Sequence, residues 1–309
     1  MNLKKLRPQF ADTVLELGKK NKNIVVLVSD ISHGIFKRFA NLYKDRYYNV
    51  GICEQAIVNM AAGIKKTGLI PIVHTIAPFL IERSYEQIKL DFAYQKLGVN
   101  LVSVGGTFDY SKLGCSHHCY SDFSLLNHFE NCNFVTPGSA KEFDKLFKSI
   151  YQINKINYFR LTENPHEIDF KTSQIKFGKG IKVKNGKSAT ILAVGPKLKE
   201  AMECYNYFYK KRKNIEILYF HTLKPFDKNL LIKSVKKTKK LLVIEEFSQK
   251  GGVFGECLNI LKDVRNIKVE SSSIQAFNHS YGSYEDLCKV SKVDVKNLIN
   301  KIKLLLKKN

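Results

Sequence analysis

Apolar residues along this chain fall into two alternating patterns, short unbroken runs and stripes at helical spacing. Leu3, Leu6, Phe10, Val14 and Leu17 recur every three or four residues over 1–20, the mark of a helix with one buried face. NIVVLVSD (23–30) then reads as a strand covered on both sides. The pattern predicts a helix over 54–68, with Ala56, Ala61, Ala62 and Gly63 allowing close packing and Gly68 as its stop. Strands over 69–74, 99–106, 133–139 and 156–161 alternate with helices over 79–96, 123–129 and 140–153. A polar stretch rich in turn residues, TENPHEIDFKTSQ (162–174), interrupts the period. Beyond it come strands over 188–195, 215–223, 240–246 and 266–272, separated by helices around 197–212, 227–237 and 251–264. An amphipathic helix closes the chain from 293. Strands alternating with helices predict an α/β fold with mostly parallel sheets. The expected organisation is two domains, 1–165 and 175–309, with 166–174 linking them.

Composition narrows this picture. A length of 309 residues suffices for two ordinary cores. No run of 18 apolar residues occurs, so no membrane helix is expected. The first residues lack the apolar segment of a signal peptide, which makes the cytoplasm the default location. Seven scattered cysteines are an odd number and fit a reducing compartment better than a disulfide framework. The formal net charge of +23 is large, but its lysines are spread along the chain. The densest runs, Lys236, Lys237, Lys239, Lys240 and Lys307, Lys308, fall at expected helix ends. With no nucleic-acid-binding motif beside them, they point to solvated helix faces and an acidic protein partner, not to nucleic acid. Cys115, His117, His118 and Cys119 offer metal-ligand chemistry within five residues. Structural zinc takes two separated pairs, and no second pair lies nearby, so no metal site is expected here.

Several blocks carry a resemblance. NVGICEQ (49–55), followed by AAG (61–63), Gly68 and Pro71, is succeeded by GCSHHCYSD (114–122) and then by LKPFD (223–227), VIEEFSQKGGVFGE (243–256) and YGSYEDL (281–287). In order and spacing these resemble the pyrimidine-binding and C-terminal domains of the transketolase and deoxyxylulose-phosphate synthase family. The resemblance covers nearly the whole chain but only the last two of that family's three domains. It implies thiamine diphosphate as cofactor. It also implies that Glu54 hydrogen-bonds N1′ of the aminopyrimidine and favours the imino tautomer that activates the thiazolium. Out of that context, Glu54 would be an ordinary first-turn helix glutamate.

Other roles follow from the same resemblance. Phe79 matches the phenylalanine that stacks on the pyrimidine ring, with Arg83 and Tyr85 in the same segment; for Tyr85 a core-packing role is an equal alternative. Ile52 and Ile76 would line an apolar pocket around the Glu54 carboxyl. His117 matches the histidine of the family's G-P-T-H-Q motif, which faces the reacting carbonyl, and His118 stands at the glutamine position. Arg160 matches an arginine that holds a substrate phosphate; the bland alternative is a strand-end arginine. The pattern departs from the family on the substrate side. Leu113 replaces an aspartate, Cys115-Ser116 replaces Pro-Thr, and Gly105-Gly106 stand where a basic residue grips phosphate. These changes imply two-carbon ketol transfer on an unusual sugar, unphosphorylated or nucleotide-linked. A 2-oxoacid-decarboxylating subunit, of pyruvate-dehydrogenase β or deoxyxylulose-phosphate-synthase type, is the alternative enzyme, and a basic scaffold the non-enzymatic one. The diphosphate- and Mg²⁺-binding GDG motif is absent from the sequence. The resemblance therefore implies a partner subunit that carries it, in an α₂β₂ assembly in which this chain also pairs with itself.

Overall fold

The computed structural model describes residues 4–307, so Leu3 and Lys308 lie outside the described residues. Two sheets organise the chain. The first contains β1 (Ile24–Val28), β2 (Tyr47–Asn49), β3 (Ile70–Ile76), β4 (Val99–Val104), β5 (Cys132–Val135) and β6 (Ile156–Arg160). The second contains β7 (Ile181–Lys184), β8 (Ala189–Val194), β9 (Ile215–Phe220), β11 (Lys240–Ser248) and β12 (Lys268–Ile274), while β10 (Thr222–Lys224) joins the first. Their orders are β10-β5-β6-β4-β3-β1-β2 and β12-β11-β8-β9-β7, parallel throughout except at β10 and at β7. The two-domain α/β expectation with mostly parallel sheets therefore stands. Every residue of β1, β4, β5 and β6 is buried, and β1 accordingly reads as an unbroken apolar run, while β4, β5 and β6 also bury polar residues such as Asn100, Asn133 and Asn157.

The single strand expected over 215–223 is in fact two. Six residues pair with β8 in the second sheet; after His221 the chain crosses over, and Thr222 and Lys224 pair antiparallel with Val135 and Phe134. Lys224 fixes the crossing by donating to the carbonyls of Asn127 and Phe129 at 2.7 and 2.6 Å. Apolar periodicity reports burial but not which sheet a strand joins. The helix expected over 79–96 is interrupted, with π-helical turns at Pro78–Glu82 and Ile88–Tyr94 on either side of a short α-helical piece, Tyr85–Gln87. The helix His33–Leu42, the short strands β2 and β7, and the helix Tyr284–Val290 have no counterpart in the apolar pattern. Most of these are too short to show a period.

One apolar cluster runs through both halves, including Phe10, Val26 and Phe159 from the first and Ile191, Ile217 and Leu298 from the second. A buried polar latch accompanies it: His166 Nε2 lies 2.9 Å from Glu142 Oε1, and Gly138 N–H and the Tyr219 hydroxyl both donate to Glu142 Oε2. Among the described residues no helix is long and apolar enough to cross a membrane.

Candidate active site

The carboxyl ends of parallel strands leave a crevice where α/β proteins commonly bind ligands. Here the segments leaving β1, β2 and β3 converge on Glu54, and the segment leaving β4 meets them at Phe79. After β2 the backbone turns through Gly51 at φ +78°, a conformation that favours glycine, and the helix Glu54–Lys66 begins. Glu54 is its first residue and is only 1% exposed. Asn49 ties the neighbouring loops together, its side-chain oxygen accepting from Asp30 N–H at 3.0 Å and Gly51 N–H at 3.2 Å. The Ser29 hydroxyl, one residue past β1, has Gly51 O at 2.7 Å and Glu54 Oε1 at 2.9 Å within donating range. Arg83 Nη1 donates to Glu54 Oε2 at 2.7 Å.

Phe79 and Arg83 are aimed by the π-helical turn Pro78–Glu82, which is closed by a bond from Arg83 N–H to Pro78 O at 3.0 Å. Such wide turns often mark functional sites because they re-aim side chains. The Arg83 guanidinium carbon lies 4.2 Å from the Phe79 ring centroid. The flat, N–H-bearing Arg83 guanidinium thus lies against both the Glu54 carboxyl and the Phe79 ring face. Those are the two contacts an aminopyrimidine needs, so the residues present fit that ring. The diphosphate end finds no corresponding GDG donor set in this chain.

The surroundings differ from expectation at several positions. Ile52 is 70% exposed and Ile76 is half-buried, and the groups touching the Glu54 carboxyl are Ser29 and Arg83, so the expected apolar enclosure is replaced by a hydroxyl and a cation. Tyr85 stacks on Phe129, 5.3 Å between centroids and 19° between planes, which is the core-packing alternative.

His117 ends a single 3₁₀ turn, Cys115–His117, and its ring meets Phe79 edge-on at 5.0 Å. Desolvation, then the nearby Arg83 charge, lowers its pKa below the ordinary histidine value. Glu54, Arg83, Phe79 and His117 therefore form one continuous set of contacts. His118 does not join them. It is buried, packs edge-on against Phe108 at 5.1 Å, and turns its ring toward the Ser111 backbone. Cys119 is also buried while Cys115 is exposed, and among the described residues no three His, Cys, Asp or Glu side chains converge as a metal site.

Arg160 departs furthest from its expected phosphate role. Its side chain is 3% exposed and lies between Asp122 Oδ2 at 3.0 Å and Glu246 Oε2 at 3.3 Å. A guanidinium already paired with two buried carboxylates is not available to a substrate phosphate. It also explains Gly106, whose Cβ would sit 2.4 Å from Arg160 Cζ. Glycine at that position is a packing requirement of Arg160, and the adjacent Gly105, at φ +78°, leaves room for the Tyr110 ring. Leu113 is exposed.

Sequence reasoning missed Ser29 and the relay beside it. Val102 O can only accept, so His74 Nδ1–H donates to it at 2.6 Å; His74 Nε2 then accepts from the Ser32 hydroxyl at 2.9 Å, which accepts from Arg7 Nη2 at 2.7 Å. Burial lowers the His74 pKa to about 4, consistent with that neutral ring. The available signal was the polar run Ser29-Asp30 and Ser32-His33 directly after an apolar strand. Asp30 and Ser32 both have positive φ, 47° and 62°.

Comparison with known proteins places this geometry in a family. The family model described as "Transketolase, pyrimidine binding domain" matches residues 4–166, and "Transketolase, C-terminal domain" matches 178–298. The chain belongs to the transketolase family and carries these two of its domains. Among relatives, it is 28% identical over 303 residues to one subunit of the apulose-4-phosphate transketolase of Phocaeicola vulgatus, covering 94% of this chain and 97% of that one. It is 29% identical over 258 residues to a 6-deoxy-6-sulfo-D-fructose transketolase subunit of a Clostridium species, covering 82% and 80%. A 1-deoxy-D-xylulose-5-phosphate synthase of Clostridium perfringens is 30% identical over 310 residues, and there the match spans 48% of the relative's length. A solved split-gene transketolase, described as an inactive beta4 tetramer, superimposes with a TM-score of 0.88 at 25% identity, covering 97% of this chain and 98% of its own. This chain is accordingly a transketolase-like subunit of the split type.

Proposed function

We propose that this subunit, with a partner that holds the diphosphate and Mg²⁺ through a GDG motif, transfers a two-carbon ketol unit between sugars with thiamine diphosphate as cofactor. The observation that supports this reading is that the Glu54 carboxyl and the Phe79 ring together hold a flat N–H-bearing group, here the Arg83 guanidinium. The bound cofactor would supply the nucleophilic carbon that carries the transferred unit. Glu54 would hold the pyrimidine edge at N1′ and exchange a proton there, its Oε1 fixed by Ser29 and its Oε2 bonded by Arg83 until the ring binds. Phe79 covers the ring face, an arrangement worth about 0.5–1.5 kcal/mol beyond area burial. His117, with its lowered pKa, presents a neutral imidazole at pH 7, suited to accepting a proton from a substrate hydroxyl or donating to a developing oxyanion. The partner must supply oxygen ligands for Mg²⁺.

The locked Arg160 and the exposed Leu113 favour a sugar that presents no phosphate at that side of the site. Relatives named for apulose 4-phosphate and for a sulfo-sugar support a family branch with varied substrates. The expected assembly pairs copies of this chain with each other and with the partner, as the beta4 neighbour supports.

The test is reconstitution with a GDG-bearing partner, thiamine diphosphate and Mg²⁺, and measurement of ketol transfer from a ketose to an aldose. Glu54→Gln should lower turnover by about 10²-fold or more, the scale of losing a positioned acid–base group, with an unchanged circular-dichroism melt. Turnover near wild type would remove Glu54 from the centre of the reaction. Turnover of pyruvate in place of a ketose would move the assignment to the decarboxylating class.

A further inference from the structure

We propose that Arg160 is a positioning residue that clamps the neck of the 107–119 loop to the C-terminal domain and so sets the place of His117. The proposal rests on the reading of His117 as the substrate-facing histidine. Thr107 and Cys119 face each other across the neck, Thr107 N–H donating to Cys119 O at 2.6 Å and Cys119 N–H to Thr107 O at 3.2 Å. Tyr110, Gly114 and His117 all hang from that pair. The Arg160 guanidinium lies against it, Nη2 donating to Thr107 Oγ1 and, at 3.0 Å, to Cys119 O.

From there the contacts pass into the C-terminal domain. Arg160 Nη1 donates to Glu246 Oε2 at 3.3 Å, and the Thr107 hydroxyl donates to Glu246 O at 2.6 Å. The Phe247 ring lies 4.7 Å from Arg160 Cζ. Glu246 is itself held by Lys197 Nζ at 3.4 Å and by the Tyr284 hydroxyl. On the loop, Phe108 is buried in an apolar cluster with Ile274, Leu287, Cys288 and Val293. Nearer the tip, the Tyr281 ring fills the space a Cβ on Gly114 would occupy.

Backbone strain at the neck points the same way. Thr107 has φ +47°, an outlier for a β-branched residue. Such conformations persist where the surroundings over-determine them, and here the hydroxyl, N–H and carbonyl of Thr107 are all bonded. Catalytic geometry is sensitive to small displacements, about 10²-fold for 1 Å. A loose neck would therefore reach the reaction through His117.

The test uses Arg160→Met and Thr107→Val. The second removes the bridging hydroxyl while leaving the buried ion pairs, and so covers the case where the first fails to fold. In the complex with partner, thiamine diphosphate and Mg²⁺, hydroxypyruvate serves as a donor with no phosphate and D-xylulose 5-phosphate as one with a phosphate. Both variants should lose about tenfold or more in kcat on both donors. Amide hydrogen exchange within 108–118 of the unmixed chain should accelerate, while the helix Glu54–Lys66 keeps its protection. If Arg160→Met retains hydroxypyruvate turnover and raises only the KM for the sugar phosphate, Arg160 is a phosphate ligand and the clamp is overturned. Unchanged exchange in 108–118 overturns it as well. A wild-type complex that uses neither donor counts against the proposed activity instead, and amide exchange still decides the clamp.

Discussion

At His74 a neutral ring is built into the structure. Its Nδ1 proton is committed to Val102 O and its Nε2 to the Ser32 hydroxyl, so an added proton would break a bond and place charge in a fully buried site. The folded pKa is lowered to about 4, whereas the unfolded chain titrates near 6.5. Between those values the unfolded state binds a proton that the folded state does not, so stability falls as pH drops from 6.5 to 4 and levels off below. The loss from this one residue amounts to about 3 kcal/mol across that window. His74→Asn should start less stable at pH 7.5 and show a shallower decline between pH 6.5 and 4, read from denaturant midpoints at each pH. Equal slopes in the two proteins would mean that His74 is not the group carrying the decline.

Among the elements, the loop leaving β4 shows how one side chain dictates its neighbours. Gly106 has no room for a Cβ because the Arg160 guanidinium fills that volume, and the guanidinium is pinned by two carboxylates, a hydroxyl and a carbonyl. Gly106→Ala should therefore cost about 1–3 kcal/mol, the range for overpacking a filled interior. Urea unfolding measures it, and a change below about 0.5 kcal/mol, within the range of ordinary surface substitutions, would show that the guanidinium shifts freely. The same loop marks the limit of sequence reading. That Glu54, Phe79 and His117 meet in one set of contacts could be expected from the sequence, because each sits in a short motif whose neighbours are also its structural context. The place of Arg160 could not, since its partner Glu246 lies 86 residues further along the chain. Ser29 escaped notice because its meeting with Glu54 depends on β1 lying beside β2. His118 has the same residue type and loop as His117, and only the packing of Phe108 separates their roles.

For the whole molecule, the proposed function gives these two sheets the pyrimidine side of a cofactor site and leaves the diphosphate side to a partner. On that reading Glu54 and Phe79 would address the pyrimidine ring, but an anionic diphosphate with Mg²⁺ needs hard oxygen ligands, and the sequence contains no GDG to supply them. The net charge of +23 favours an acidic partner surface, and attraction between exposed charges weakens with salt as the Debye length falls from about 10 Å at 0.1 M to about 3 Å at 1 M. Alone, then, the chain should bind thiamine diphosphate with Mg²⁺ weakly. Calorimetry at about 0.1 M salt should give a Kd above about 1 mM, equivalent to under about 4 kcal/mol of binding free energy. Adding the partner should bring the affinity into the micromolar range, and raising salt should loosen the two chains from each other before it loosens the cofactor from the assembled pair. Micromolar binding by the chain alone would mean that these two domains hold the diphosphate themselves, and the division of the site between subunits would have to be abandoned.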